Sequence, residues 1–224
     1  MRVGVVILPE HRWRDAAALW QRAEQLGFEH AWTYDHLSWR DLRDSAWFGA
    51  IPTLTAAAMV TDRIRLGPLV ASPNFRHPVP LAKELVTLDD ISNGRLVVGL
   101  GAGGTGWDAS VLGGAPWSPV ERSERFAEFV TLLDTLLCDG DTTHTGRYYS
   151  AVDARTIPGC VQQPRVPFAI AATGPRGLLV AARHAEIWVT NGHRSYEDQL
   201  DPARGAEVVR RQIELLAQAC AAVG

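Results

Sequence analysis

The chain has 224 residues, of which 46% are hydrophobic and 21% are charged, and its formal net charge is −3. This composition is typical of a globular protein with a sizeable core, and it excludes the strongly basic surface that most nucleic-acid-binding domains carry. The three cysteines are odd in number and far apart, and no two histidines have HxxxH spacing. The sequence therefore predicts neither a disulfide framework nor a metal site.

The N-terminal residues lead directly into an apolar strand, which leaves no room for a signal peptide. No apolar run reaches the length of a membrane span. A GxSxG serine-nucleophile turn is absent as well. We therefore expect a cytoplasmic protein with no membrane or nucleic-acid partner.

Short apolar segments alternate with amphipathic ones along the sequence. The predicted strands of the main sheet lie at residues 3–8, 30–33, 64–71, 95–100, 167–172 and 186–190. The predicted helices begin near residues 13, 50, 80, 118, 175 and 202. Gly27 is a typical stop signal for the first helix, and Ser118 with Glu121 forms a capping box at the start of the fourth. A small hairpin outside the main sheet is predicted around Gly146.

Two helices illustrate how the apolar spacing predicts a buried face. The first helix is expected to bury Trp13, Ala16, Ala17, Trp20, Ala23 and Leu26. The last helix is expected to bury Val208, Val209, Ile213 and Leu216.

The segment 63–106 is the centre of the predicted fold, because two nearly all-apolar strands in it are joined by a helix. Such strands suit a parallel sheet that is buried on both faces. Six strands and six helices in alternation predict an α/β, TIM-barrel-like fold in a single domain, residues 1–224. A complete eightfold barrel takes about 250 residues. The expected fold is therefore a barrel truncated after the sixth β/α unit, without strands seven and eight.

The loop after the fourth strand contains the glycine pattern GxGxxG at 99–104. A dinucleotide site would also need a helix opening on the third glycine and an acid about 20 residues later, and neither follows. Two interpretations stay open. The glycines either let a ligand approach the backbone closely or relieve crowding inside the protein.

Asp35 and His36 follow the second strand, at the end where barrel enzymes place catalytic groups. A histidine there can exchange a proton near neutral pH, and a neighbouring carboxylate can hold it. The simpler alternative is a helix-capping aspartate beside a surface histidine.

The turn of Ala172, Thr173 and Gly174 leads from a strand into a helix. Its free N–H groups and the positive helix end could bind an anion such as a phosphate. An ordinary helix cap by Thr173 explains the same residues.

Taken together, the segments 32–36, 66–78, 93–95 and 99–103 resemble the luciferase-like monooxygenase superfamily, especially its members that use the deazaflavin coenzyme F420. The resemblance implies a (β/α)8-type barrel that binds a flavin or deazaflavin at the carboxyl ends of the strands. It implies that Asp35 and His36 face the cofactor ring, with His36 in proton transfer, and that the Leu69–Val70 peptide is cis. The cofactor-binding residues that it implies are Asp35, Leu69, Val70, Ser72, Gly101, Ala102, Gly103, Ala172, Thr173 and Gly174.

The sequence departs from that family in two respects. Some members place a glutamate acid in the glycine loop where this chain has Gly104, and the nearby Trp107 and Asp108 are not equivalent to it. The last two strands, which in the family complete the barrel and part of the pocket, are expected to be missing from this sequence. The expectation is therefore either an open six-stranded barrel stabilised by a partner or a truncated product.

The leading functional hypothesis is hydride transfer between coenzyme F420 and a small organic substrate, by a homo-oligomer that is expected to be a dimer. One alternative is an FMN-dependent monooxygenase that uses reduced flavin and O2. Another is a non-catalytic binding or oligomerisation module. The loops 38–48 and 105–117 would set the substrate, and their tryptophans indicate an apolar or aromatic pocket or a packed core.

Overall fold

The computed structural model describes residues 2–192 and 201–224. The strands in these residues are β1 (Gly4–Val6), β2 (His30–Thr33), β3 (Arg65–Pro68), β4 (Val98–Gly101), β5 (Asp141–Thr145), β6 (Ser150–Arg155), β7 (Phe168–Ala171) and β8 (Ile187–Val189). The α-helices are α1 (Trp13–Gln25), α2 (Ala50–Met59), α3 (Pro78–Ile91), α4 (Pro119–Cys138), α5 (Pro175–His184) and α6 (Pro202–Val223). None of these helices is both long and apolar enough to cross a membrane.

Six of the strands form a parallel sheet in the order β1-β2-β3-β4-β7-β8. Regular ladders pair β1 with β2 and β2 with β3, and likewise β4 with β7 and β7 with β8. Two single bridges, Leu66 with Leu96 and Ala71 with Leu100, join the halves. Within the described residues the sheet does not close, so β1 and β8 are its outer strands. This partial barrel confirms the α/β architecture that the alternation of elements predicts.

Two glycines allow the close approach of β3 and β4. A Cβ atom on Gly67 would lie 1.7 Å from the carbonyl oxygen of Val97, and one on Gly99 would lie 2.2 Å from the carbonyl oxygen of Pro68. These distances are far below any van der Waals contact. Glycine is therefore required at both positions for backbone packing alone.

Most of the predicted helix-capping residues lie at the ends of the helices in the structure. Ser118 and Glu121 form the capping box of α4, and Gly27 follows α1 with a positive φ of 82°. In α3 the cap is His77, whose Nδ1 accepts a hydrogen bond from the N–H of Val79 at 3.2 Å, so this helix begins two residues before the predicted Pro80.

The apolar faces of the two outer helices are narrower than predicted. In α1 the central residues Ala16, Trp20 and Ala23 are buried, whereas Trp13 and Leu26 are 37% and 59% exposed. Only the middle turns of this helix therefore pack on the core.

The last helix differs from its prediction at Ile213, which is 53% exposed. The buried residue beside it is Gln212, whose side chain bonds the Thr190 hydroxyl at 2.6 Å and the Gly192 carbonyl oxygen at 2.7 Å. A polar anchor thus turns α6 so that Ile213 faces solvent.

The predicted hairpin is present as the antiparallel pair β5 and β6, which is separate from the main sheet. Its tip docks on α4, where the Glu128 carboxylate accepts hydrogen bonds from the backbone N–H groups of Arg147, Tyr148 and Tyr149 at 2.7–3.1 Å. The hairpin covers α4 and leaves the carboxyl edge of the main sheet to the loops that follow β2, β3, β4 and β7.

Candidate active site

Four loops meet at the carboxyl edge of the parallel sheet. Parallel strands all end at the same edge, so the loops after β2, β3, β4 and β7 lie next to one another in the order of their strands. The N–H of Leu69 donates to the Thr33 carbonyl at 2.8 Å, and the side-chain amide of Asn74 donates to the Gly104 carbonyl at 3.3 Å. The pairing of Gly101 with Ala171 brings the glycine loop beside the turn before α5. The structure thus gathers the segments that contain every site residue predicted from the sequence.

His36 is held at this edge by groups from two other parts of the chain. Its Nδ1 is hydrogen-bonded to the Asp108 Oδ2 atom, and the N–H of the next residue, Leu37, donates to Asp108 Oδ1 at 3.0 Å. On the other side, the indole N–H of Trp47 donates to the His36 carbonyl oxygen at 2.8 Å. Asp108 is only 5% exposed. The imidazole is therefore fixed by a buried carboxylate 72 residues away in sequence.

Aromatic rings surround the His36 imidazole. The Trp39 ring lies 4.2 Å from it between centroids, and the Tyr34 ring approaches edge-on at 6.2 Å. Tyr34 and Trp39 also contact each other at 5.2 Å. Two aromatic side chains of the 34–48 region, Tyr34 and Trp39, thus pack around His36, which supports an aromatic pocket wall rather than a distant core.

Asp35 has a different partner from its neighbour. Its side chain is 2% exposed and accepts two hydrogen bonds from Arg76, from Nε at 2.9 Å and from Nη2 at 2.7 Å. Arg76 also reaches Glu84 at 3.0 Å. Burial lowers the pKa of Arg76, but its bond to Asp35 and the charges of the two carboxylates outweigh burial and raise the pKa above its usual value. Asp35 is thus neither a helix cap nor the carboxylate that holds His36.

The loop after β3 contributes a cis peptide and a buried side chain. The Leu69–Val70 peptide is cis, as the family resemblance implies. Val70 faces the glycine loop so closely that a Cβ on Gly101 would lie 2.6 Å from its Cγ2 atom. Ser72 is 5% exposed, and its carbonyl oxygen accepts the N–H of Arg76 at 3.3 Å. These residues form the wall between β2 and β4.

The glycine loop divides into a crowded part and an open part. Gly103 has a positive φ of 75°, and a Cβ there would lie 2.4 Å from the Asn74 side-chain oxygen. Together with Gly99 and Gly101, it is explained by packing against the β3 loop, while Ala102 packs on the core. By contrast, the nearest atom to a Cβ on Gly104 is 3.8 Å away, and no atom lies within 4 Å of one on Gly106. The backbone at this open part is therefore free for a ligand to approach.

The turn before α5 uses a different cap from the one predicted. The cap residue is Gly174 and makes no side-chain bond, and Pro175 occupies the first helical position. Thr173 is therefore not the cap. The backbone of Ala172 is already bonded to β8, with its N–H donating to the Val189 carbonyl at 3.2 Å and its carbonyl oxygen accepting the Trp188 indole N–H at 2.8 Å.

These bonds leave the first-turn amides of α5 as the groups that could bind an anion. Arg176, which the sequence reasoning did not single out, lies exposed in that first turn and adds a positive charge. At the other end of the site, the sequence reasoning also missed Arg76 as the partner of Asp35 and Asp108 as the partner of His36. The only sequence signal was their position in loops that follow strands.

Comparison with known proteins places this geometry in context. Residues 1–224 match the family described as luciferase-like monooxygenase. An F420-dependent glucose-6-phosphate dehydrogenase of Beutenbergia cavernae is 37% identical over 196 residues, which cover 85% of this chain and 57% of that protein. A 5,10-methylenetetrahydromethanopterin reductase of Methanopyrus kandleri is 30% identical over 200 residues, covering 84% and 54%.

The fold is also similar to that of solved structures. A monooxygenase of Streptomyces bottropensis superposes with a TM-score of 0.81 and 27% identity, covering 99% of this chain and 66% of that one. The chain therefore shares a TIM-barrel-like fold with these proteins, and it spans little more than half the length of the curated relatives that it matches.

Proposed function

The chain belongs to the luciferase-like monooxygenase family, and from that premise we propose that it is an F420-dependent oxidoreductase that transfers a hydride to or from a small organic substrate. The observation that carries this proposal is His36, fixed by Asp108 at the carboxyl edge of the sheet with an aromatic wall beside it. The names of the relatives in Beutenbergia and Methanopyrus support the choice of F420.

The residues at the edge fit a flat ring that carries an anionic tail. The ring would lie against the open backbone at Gly104 and Gly106. Val70 would contact one side of the ring, and His36 would lie on the other side. The tail phosphate would meet Thr173, Gly174 and the first-turn amides of α5. When bound, F420 supplies the carbon that accepts or gives up the hydride.

The protein's own contribution would be proton transfer and orientation. In the oxidation of an alcohol, Nε2 of His36 would accept the hydroxyl proton, and with F420 as the hydride acceptor the substrate would become a carbonyl compound. Nε2 takes this role because Nδ1 is bonded to Asp108. The Asp108 carboxylate also stabilises the imidazolium that forms. Positioned acid–base groups of this kind contribute about 10²- to 10⁴-fold in rate.

Asp35 would act as a support. Its two oxygens are taken by Arg76, so this ion pair ties the start of the 34–48 loop to the β3 loop. Both loops would contact the ring. Such a buried pair can hold their spacing without taking part in the chemistry.

Cofactor titration of the chain tests the proposal. We expect saturable binding of F420 and no comparable binding of FMN. Quenching of the fluorescence of the tryptophans near His36 measures the binding. Tight binding of FMN without binding of F420 would instead support the FMN-dependent monooxygenase. A folded sample that binds neither cofactor would support the non-catalytic module and overturn the proposal.

The homodimer and the cytoplasmic location stay predictions. We propose both because the family resemblance and the sequence composition favour them. Light scattering coupled to size-exclusion chromatography would measure the mass against the 24.5 kDa of one chain. Fractionation of cells that express the chain would test its location.

A further inference from the structure

We propose that Asp108 is the positioning residue that sets the tautomer of His36, so that hydrogen is on Nδ1 and the lone pair on Nε2 faces the substrate. This inference rests on the proposed function for its catalytic meaning, although its structural core can be tested without any cofactor. Asp108 lies outside every predicted site motif, and this inference gives it a defined role in the reaction.

The geometry of the carboxylate carries the assignment. Both oxygens of Asp108 are engaged, Oδ1 with the N–H of Leu37 at 3.0 Å and Oδ2 with Nδ1 of His36. An ionised carboxylate can only accept hydrogen bonds, so Nδ1 must be the donor. The ring then holds its acceptor lone pair on Nε2 whenever it is neutral, because the partner of one ring nitrogen decides the state of the other.

The neighbouring acid does not compete for this role. Asp35 precedes His36 directly, but both of its oxygens accept from Arg76 at 2.7 and 2.9 Å. The Asp108 side chain is 95% buried, since its exposed fraction is 5%. Water therefore screens its contact with the imidazole weakly, and the hydrogen bond is correspondingly strong.

Neighbouring residues hold the His36 ring in position for its hydrogen bond to Asp108. Trp47 fixes the His36 carbonyl at 2.8 Å, and Leu37 is tied to the same carboxylate that binds the ring. The Trp39 ring, 4.2 Å away, limits rotation of the imidazole. Asp108 therefore acts on a residue whose main chain is already fixed, which is how buried aspartates orient histidines in hydrolase triads.

The first test is the 15N spectrum of His36 in the chain without cofactor, at about pH 8.5, above the usual range of histidine titration. The signal is assigned by its loss in His36→Gln. We expect a protonated-type shift for Nδ1 and an unprotonated-type shift for Nε2. A neutral ring with its hydrogen on Nε2 would overturn the proposal without the need for any variant.

Asp108→Asn makes the test sharper, because its amide group can donate to Nδ1 and should move the ring hydrogen to Nε2. Asp108→Glu keeps a carboxylate and should keep the native tautomer. Asp44→Asn is the matched control, because it removes an acid that is 91% exposed on the loop that also carries Trp39 and Trp47. An Asp108→Asn protein that folds and keeps the native tautomer would contradict the proposal.

Turnover separates this proposal from the proposed function. In the loaded enzyme, we expect Asp108→Asn to lower kcat by about 10²- to 10⁴-fold, the usual contribution of a general base, with KM changed only a few-fold. Unchanged kcat in a variant with the altered tautomer would overturn the catalytic role of Asp108. Failure of the chain to bind F420 would instead overturn the proposed function, while the tautomer result would still stand.

Discussion

The two ends of the β-sheet use the same kind of ion cluster for different purposes. At the carboxyl end, Arg76 binds Asp35 and Glu84. At the amino end, Arg165 binds Asp134 and Glu186 and stacks 3.7 Å above the Phe168 ring. Each cluster joins loops or elements that are distant in sequence, so the ion clusters alone do not distinguish a functional end from a structural one.

The histidine beside each cluster makes the distinction. At the amino end, His184 shares its carboxylate with the ion cluster, because its Nδ1 lies 3.3 Å from Asp134, which also binds Arg165. At the carboxyl end, His36 has a carboxylate of its own, Asp108, which takes no part in the Arg76 cluster. This matches the general division of barrels into a stabilising amino face and a functional carboxyl face.

The largest expected effect comes from His36→Gln. This change removes the proton acceptor and keeps a side chain of similar size, so we expect turnover with F420 to fall by about 10²- to 10⁴-fold. The melting temperature should change little, because the glutamine amide can still donate a hydrogen bond to the buried Asp108 carboxylate. Steady-state kinetics and thermal unfolding measure the two quantities. Intact turnover with intact binding would remove His36 from the mechanism.

Arg165→Met should have the opposite profile. Removing a guanidinium that is 7% exposed takes the arginine partner from Asp134 and Glu186, which keep His184 and the Phe168 N–H as partners, and we expect a loss of about 3 kcal/mol in the free energy of unfolding. This loss is at the low end of the range for breaking a buried ion pair, because both acids keep some contact with water. Urea denaturation measures it.

The matched control for Arg165 is Arg155→Met. Arg155 is 48% exposed and pairs with Asp141 at 2.6 Å, so its loss should cost no more than about 1 kcal/mol. Equal losses in the two variants would contradict the structural role of the amino-end cluster.

A pair of glycine substitutions separates packing from ligand contact in the glycine loop. Gly99→Ala places a Cβ 2.2 Å from the Pro68 carbonyl oxygen and should cost about 1–3 kcal/mol of stability, as overpacking usually does. Gly104→Ala meets only an atom at 3.8 Å, so its stability should be unchanged while its affinity for F420 falls. Denaturation and cofactor titration of both variants test this. Unchanged cofactor affinity of Gly104→Ala would place the ring elsewhere.

The smallest effect concerns pH and the cap of α3. Burial, and then the charge of Arg125, lower the pKa of His77 below its usual 6.5. The unfolded chain therefore binds more protons than the folded one below about pH 6.5, and the free energy of unfolding should fall as the pH drops from there toward the folded pKa. Protonation also removes the acceptor that caps Val79.

His77→Asn tests this contribution. Asparagine keeps a capping oxygen but does not titrate in this range. We therefore expect a smaller change in the free energy of unfolding between pH 7 and pH 5 than in the native chain, measured by urea denaturation at each pH. An unchanged pH dependence would assign it to other groups, such as His30, whose pKa burial also lowers.

Local sequence determined most of the elements of this protein. The β2 strand lies at the predicted residues, and the α4 capping box is present at Ser118 and Glu121. These features depend on neighbours within four residues, so apolar periodicity and cap chemistry are sufficient to predict them. The family resemblance added the cis peptide at Leu69–Val70, which no periodicity indicates.

Only the tertiary structure decided which charged groups meet. The sequence places Asp35 next to His36, yet Asp35 binds Arg76 and His36 binds Asp108, 41 and 72 residues away. The crowding of Gly99 by Pro68 likewise arises from the pairing of two strands. Such contacts depend on strand order and on the direction of each side chain. The partner of a carboxylate depends on distances in the folded structure, and the spacing of residues along the sequence does not give those distances.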